Sequence, residues 1–410
     1  MPGGDPSAVP VDNFEARCPP ALRSAGRKRK GPRVALEWAL ARVEARIDLD
    51  ALRGNVKALV SRAGEADLMV VVKANAYGHG LVPVARAARA AGAPWLATAL
   101  PEEALALRAA GVDGRILTWL WTPGGPFAEA IRADLDVSIS GQWDLAEVVA
   151  AARKTGRTAR IHLKIDSGLG RNGCPIREWP DLVDAAVKAQ ADESVNVVGL
   201  WSHLAMAESP WHASVAEQVK AFTDALRLAE QAGVRPEVRH MANSAATALL
   251  PDTRFDLVRT GLSTYGLPSA PNVAEGLRPV MTLASRFSSV KRVPAGQGVS
   301  YGLKYRTAHE TTLGLVPVGY ADGIPLHASN RGPVWAAGKR RTVAGRVAMD
   351  QFIIDLHGDQ AQAGDEVLIF GPGDQGEPTA EDWARAADTI PYEIVTRIGA
   401  SVPRVYLGER

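Results

Sequence analysis

The sequence predicts an α/β chain: a (β/α)8 barrel of the TIM type, followed by a β-rich C-terminal domain. Three observations predict it. From the apolar run before Lys73 to residue 262, short apolar runs alternate with amphipathic helical stretches, and eight strand–helix units can be counted. Beyond Pro279 the runs stay strand-like, the links are turn-rich (Gly371-Pro372-Gly373), and helical spacing is sparse. Lastly, 410 residues exceed what one ordinary core organises, so two domains are expected.

Residues 1–43 stand apart. They carry prolines, glycines and the basic run Arg27-Lys28-Arg29-Lys30, with no core-forming period, and read as a disordered basic leader. A signal peptide would need an apolar segment after the charges, and residues 34–40 are short and broken by Glu37. From residue 44 the predicted barrel domain runs to 279, and the β-rich domain from 280 to 410. An alternating stretch at 47–50 leads into helical spacing through Leu59 and Val60. The β-branched run Val70-Val71-Val72 reads as a buried strand ending in Lys73, with a helix over 81–91. Further strands are expected at 95–100, 115–121, 137–140, 160–166, 195–204, 240–244 and 255–262, with helices at 101–110, 144–154 and 214–231 between them. In the second domain strands are expected at 281–293, 312–318, 341–356, 366–370 and 397–406, and one helix at 380–387.

Composition narrows the function. A hydrophobic content of 46% with 22% charged residues is that of a soluble enzyme. A net charge of +2 lacks the basic excess of a nucleic-acid binder. Cys18 and Cys174 are the only cysteines, so neither a disulfide framework nor a cysteine–metal cluster is available. No apolar run reaches membrane-spanning length. The expected location is the cytoplasm, with a small-molecule substrate and no nucleic-acid or membrane partner.

A barrel builds its active site at the C-terminal ends of its strands. Those ends are Lys73, then Lys164-Ile165-Asp166 leading to Arg171, then His203, Asn243-Ser244 and Arg259-Thr260-Gly261. Loops are polar in general, but that does not account for lysine, arginine and histidine at these ends. An amine at the mouth of an apolar strand is poorly solvated, which lowers its pKa and frees its lone pair to attack an aldehyde. Taken alone, Lys73 fits equally a strand-end lysine reaching for water. The second domain adds Tyr301 in Val299-Ser300-Tyr301-Gly302, Tyr320 in Gly319-Tyr320-Ala321-Asp322-Gly323, the 346–351 segment with Met349 and Asp350, and Tyr392.

From about residue 45 onward the chain resembles the alanine racemase family, fold-type III enzymes that use pyridoxal 5'-phosphate (PLP). The resemblance rests on Val71-Val72-Lys73-Ala74-Asn75-Ala76-Tyr77-Gly78-His79-Gly80, similar to the family's cofactor-lysine signature. It rests also on His162-Leu163-Lys164-Ile165-Asp166-Ser167-Gly168-Leu169-Gly170-Arg171, on Ser202-His203-Leu204, His240-Met241-Ala242-Asn243-Ser244 and Val258-Arg259-Thr260-Gly261, and on Val299-Ser300-Tyr301-Gly302. It implies that Lys73 holds PLP and serves as one of two bases. Tyr77, Ser244, Tyr392 and the amides of Gly261 and Leu262 would receive the phosphate, with Asn243 beside them. Arg259 would face the pyridine nitrogen, with His203 and His240 backing it or packing on the ring. An arginine gives up its proton reluctantly, which favours reprotonation at Cα over transamination. Tyr301 of the partner subunit would be the second base, making the catalytic unit a two-fold homodimer. Arg171 and the Met349 backbone would bind the substrate carboxylate. Lys164 would be carbamylated to brace Arg171, with Tyr320 and Asp350 in support. The implied role is supplying D-alanine for peptidoglycan.

The chain departs from the family pattern at three places. Ala348 replaces a cysteine, Ser401 replaces an arginine, and Ala207-Glu208-Ser209 replaces the usual Ala-Asp-Glu. Competing expectations are a PLP decarboxylase of the same architecture, a racemase for serine or a larger amino acid, and a PLP carrier. The first would need a glycine-rich phosphate loop and a partner cysteine that this chain lacks.

Overall fold

A computed structural model describes residues 42–408. The expected leader therefore lies outside the described residues, except that Arg42 and Val43 belong to the folded unit.

Eight parallel strands form a nearly closed barrel, in the order Leu257–Thr260, Asp67–Val71, Trp95–Thr98, Arg115–Thr118, Asp136–Ile139, Ala159–Asp166, Val195–Trp201 and Val238–His240. The first and last approach through backbone bonds: Asp256 N donates to Arg239 O and Arg259 N to Ala242 O, both at 3.0 Å. Three of these strands are buried along their whole length and the others over most of it, which is why they read as continuous apolar runs rather than alternating ones. Several stop sooner than their apolar runs suggest. Residues 240–244, expected as one strand, are the strand end His240 followed by a turn in which Asn243 caps the short helix Ser244–Leu249, accepting from Ala246 N at 3.0 Å.

The expected start of the barrel domain at residue 44 needs correction. Val43–Asp48 pairs antiparallel with Met281–Arg286 and parallel with Arg404–Leu407. It therefore lies inside the six-stranded sheet of the second domain, whose remaining strands are Glu366–Phe370, Pro333–Ala336 and Lys339–Thr342. Its alternating burial fits a strand with one face on a core. Asp48 then ends the strand and caps helix Leu49–Ala63, accepting from Ala51 N at 2.9 Å. Residues 281–293, expected as one strand, divide at Phe287-Ser288. Ser289–Val293 joins a separate three-stranded sheet with Thr311–Val316 and Phe352–Asp355. The stretch 341–356 likewise divides, and 397–406 contributes only its end, preceded by helix Pro391–Thr396.

Ser401 shares the Asp322 carboxylate with Arg42. Arg42 grips Asp322 with two hydrogen bonds, at 2.6 and 2.9 Å, and Ser401 Oγ adds a third at 3.2 Å. Burial raises the Asp322 carboxyl, but the arginine and the Gly319 amide outweigh it and hold it below its usual range. Arg42→Ala should lower unfolding stability by about 1–3 kcal/mol, since it leaves a buried carboxylate without its cation. Adding Ser401→Arg should restore most of the loss. Urea unfolding of the single and double variants measures both.

Candidate active site

The strand before Lys73 ends in a local conformation that the signature residues make possible. Ala74, Asn75, Ala76 and Tyr77 all have φ of +53° to +54°, one turn of left-handed helix without a glycine. Such a turn costs roughly 1–2 kcal/mol per residue for L-amino acids, so its surroundings must enforce it. Asn75 N donates to Glu103 Oε1 (2.9 Å), Leu81 N donates to Asn75 Oδ1 (2.8 Å), and Arg404 Nε donates to Gly78 O (3.0 Å). His79 Nδ1 lies 3.0 and 2.9 Å from the carbonyls of Ala76 and Tyr77, so that nitrogen carries the proton. A side chain on Gly80 would collide with the Tyr406 phenol. The signature is thus a brace that holds Lys73 at a fixed height and turns Tyr77 back toward the barrel rim.

Lys73 is half-buried. Burial, with a smaller contribution from Arg171, holds its amine below the usual lysine range. Its Nζ stands 5.9 Å from the Trp119 ring centroid. It opens on a cavity of about 310 Å³ at the C-terminal ends of the strands. The same cavity is lined by Tyr77, Lys164, Arg171, His203, Asn243, Ser244, Arg259, Gly261, Leu262 and Tyr392, all expected for the site.

On one side of the cavity the groups are neutral donors. Ser244 Oγ accepts from the amides of Gly261 (3.0 Å) and Ser263 (3.4 Å). The Tyr77 hydroxyl occupies the space that a Cβ on Gly261 would need. Burial pushes the Tyr77 phenol up, and burial with Glu208 pushes Tyr392 up to about 12, so both keep their protons. Tyr77 stacks against Tyr265 at 4.7 Å, and the Tyr265 hydroxyl donates to Val71 O at 3.0 Å.

Opposite, Arg259 is 4% exposed, and its hydrogen-bond partners among the described residues are all neutral. Its Nη2 donates to Ser202 O (2.8 Å), Met241 O (3.1 Å) and His203 Nδ1 (3.1 Å), and its Nη1 to His240 Nδ1 (2.9 Å). Burial alone pulls the guanidinium down to about 9. His240 lies behind Arg259 and does not line the cavity.

Lys164 and Arg259 both lie over the Trp201 ring, at 4.3 and 4.7 Å. Asp166 accepts from the amides of Gly168, Leu169 and Gly170, which folds the loop carrying Arg171 over the strand end. The walls Trp119 and Trp201 were not anticipated. Trp201 ends an apolar strand and Trp119 directly follows one, where a tryptophan reads as core.

Four expected residues do not reach the cavity within one chain. Tyr301 is 70% exposed and Met349 54%, while Tyr320 and Asp350 are also exposed. Tyr301 and Tyr320 instead line a surface hollow with Arg346, Ala348 and Arg397. Tyr301 projects from a strained turn in which Ser300, Gly302 and Leu303 all have positive φ, and Ser300 Oγ pins the turn by donating to Arg346 O at 2.6 Å.

A desolvated lysine at a barrel mouth, neutral donors on one side and a carboxylate-free arginine on the other define an enzyme built around amine chemistry on a small polar ligand. Family models described as alanine racemase, N-terminal domain, and alanine racemase, C-terminal domain, match residues 47–269 and 280–406. The alanine racemase of Streptomyces coelicolor is 60% identical over 380 residues, which is 90% of this chain and 97% of that protein. The crystal structure of alanine racemase from a D-cycloserine-producing Streptomyces lavendulae has a TM-score of 0.89 at 63% identity, covering 90% of this chain and 98% of that one. That of Bacillus anthracis, solved with bound L-Ala-P, has a TM-score of 0.81 at 32% identity over 89% and 95% of the two chains. The chain belongs to the alanine racemase family, and its activity is the isomerisation of alanine.

Proposed function

We propose that the chain interconverts L- and D-alanine with PLP held by the Lys73 amine, using one proton carrier on each face of Cα. The observation that carries this is the joint presence, in one cavity, of a desolvated lysine, a cradle of neutral donors and an arginine with no carboxylate partner. The cradle suits a phosphate, which needs several donors and no competing anion. When bound, PLP supplies an electron sink that makes the Cα proton removable. Tyr77, Ser244 and Tyr392, with the amides of Gly261 and Leu262, hold its phosphate, and Asn243 fixes the Ser244 turn. Arg259, backed by His203 and His240, faces its ring nitrogen.

Lys73 Nζ takes or returns the Cα proton on its face. Tyr301 of the partner subunit serves the other face, and Met349 of the partner subunit, with Arg171, binds the substrate carboxylate. The exposure of Tyr301 in the single chain and the strained turn that presents it support this, since they leave the phenol accessible to a second subunit. The chain is therefore proposed to work as a homodimer with shared sites, with Tyr320 and Asp350 supporting the rim. It acts in the cytoplasm and feeds peptidoglycan synthesis. Among the described residues no helix is long and apolar enough to cross a membrane.

Lys164 is proposed to be carbamylated. Burial, Arg259 and Arg171 push its amine down to about 7. The unprotonated nitrogen adds to the carbon of carbon dioxide, an N–C bond forms, and the proton leaves to solvent. Because only the neutral amine reacts, native mass spectrometry should find the added carbon dioxide at about pH 8.5 and lose it at about pH 5.5. Unmodified mass at both would remove the modification.

The activity is tested with purified protein, PLP and L-alanine. Chiral chromatography should find D-alanine, with no carbon dioxide released. Release of carbon dioxide supports a decarboxylase instead, and failure to take up PLP overturns the whole reading.

A further inference from the structure

Beneath Arg259 runs a line of buried groups that the proposed proton transfers do not touch. His240 and His162 are fully buried, and the Asp136 side chain has no exposed surface. Arg259 Nη1 is 2.9 Å from His240 Nδ1, His240 Nε2 is 2.9 Å from His162 Nδ1, and His162 Nε2 is 3.5 Å from Asp136 Oδ2. A guanidinium only donates, so His240 Nδ1 must accept. The neutral ring then carries its proton on Nε2 and donates to His162 Nδ1. His162 in turn keeps its proton on Nε2, facing the carboxylate. Each ring is left with one protonation pattern, fixed from the two ends of the line.

The packing is shaped around these rings. A Cβ on Gly199 would overlap His162. Trp201 stacks on His240 at 12° with centroids 5.4 Å apart, and Trp95 meets His162 edge-on at 5.6 Å. Burial holds both imidazoles below their usual range, in keeping with rings whose Nδ1 accepts a hydrogen bond. Asp136 begins its strand, at the end of the barrel opposite the cavity, where Arg115 and Arg160 hold it at 2.9 and 2.6 Å. Among the described residues no carboxylate bonds Arg259 directly; this line, hydrogen-bonded as far as His162 and then 3.5 Å from Asp136 without a hydrogen bond, is what joins it to an anion.

We propose that Asp136, His162 and His240 form a tautomer-locked relay, in which a carboxylate at the far mouth of the barrel orients Arg259 beneath the cavity. All three are positioning residues. The consequence for catalysis rests on the reading of Arg259 as the group facing the cofactor ring; the relay itself does not.

Nitrogen-15 NMR of the histidine-labelled full chain, with and without PLP, tests the relay directly. Both rings should be neutral Nε2–H tautomers from about pH 5.5 to 8.5. An Nδ1–H tautomer, or ordinary protonation of either ring in that range, overturns the proposal. Because Arg259 fixes the His240 tautomer and His240 that of His162, Asp136→Asn and His162→Phe should keep the remaining rings as Nε2–H, and should shift the nitrogen-15 resonance of the Nε2 left without its partner. Both variants should lower kcat about tenfold in each direction with KM for alanine within about twofold. Glu237→Gln, which changes only the exposed partner of Arg115 at 2.8 Å, should alter neither readout. Unchanged Nε2 resonances and unchanged kcat in both relay variants overturn the relay. Locked tautomers in a wild-type chain that forms no D-alanine would instead sink the racemase reading and leave the relay standing.

Discussion

Lys73→Ala is expected to lower alanine racemisation by about 10⁴-fold or more, because it removes a base and a covalent anchor at once. The fold should survive. Lys73 itself lies outside the left-handed run at 74–77, so alanine fits its backbone, and its side chain is not fully buried. Circular dichroism should be unchanged, while the protein should lose the PLP that borohydride fixes to the wild type. A variant that still carries PLP after reduction would remove Lys73 as the anchor.

Tyr301→Phe is expected to slow α-proton removal from the L-isomer by about 10²–10⁴-fold, with a far smaller effect on the D-isomer. Exchange of the α-hydrogen with deuterated solvent, followed separately from each enantiomer, measures the asymmetry. Equal losses would count against one base per face. The phenol is also expected to act across subunits, and the two variants together test that. A mixed dimer of K73A and Y301F chains contains one doubly defective site and one site with both native groups. Equal amounts of the two chains, unfolded and refolded together, should therefore recover about a quarter of the wild-type activity. No recovery, with mixed dimers demonstrated by mass, would end the shared-site reading.

How much of this was legible depends on whether the information was local. The barrel strands could be read because burial on both faces leaves a continuous apolar run. Lys73, Arg259 and Ser244 could be placed because each stands where such a run stops. Val43–Asp48 looked like the opening of the barrel because its alternation gives a strand but not a partner; the partners lie in distant segments at 281–286 and 404–407. The break at Phe287-Ser288 was invisible for a similar reason, since both halves are strand-like and only their sheets differ. Pro333–Ala336 was missed as a short strand opening on proline. Nothing in the alanines and asparagine of 74–77 announces a left-handed turn; the bonds that enforce it come from Glu103 and Arg404, far along the chain. His162 was visible only as part of a motif, because a histidine on an apolar strand looks the same whether it is inert or in a relay.

The seating of Val43–Asp48 between Met281–Arg286 and Arg404–Leu407 bears on biosynthesis. On the ribosome this strand emerges well before both of its neighbours, and long before Arg404–Leu407. Until then one of its edges lies open to pairing with strands of other nascent chains. The sheet can close only once both neighbours have been made, and contacts so distant in sequence are expected to form late. Chains released early by premature termination would keep a barrel and an unsealed edge, a combination suited to aggregation and to clearance by proteases.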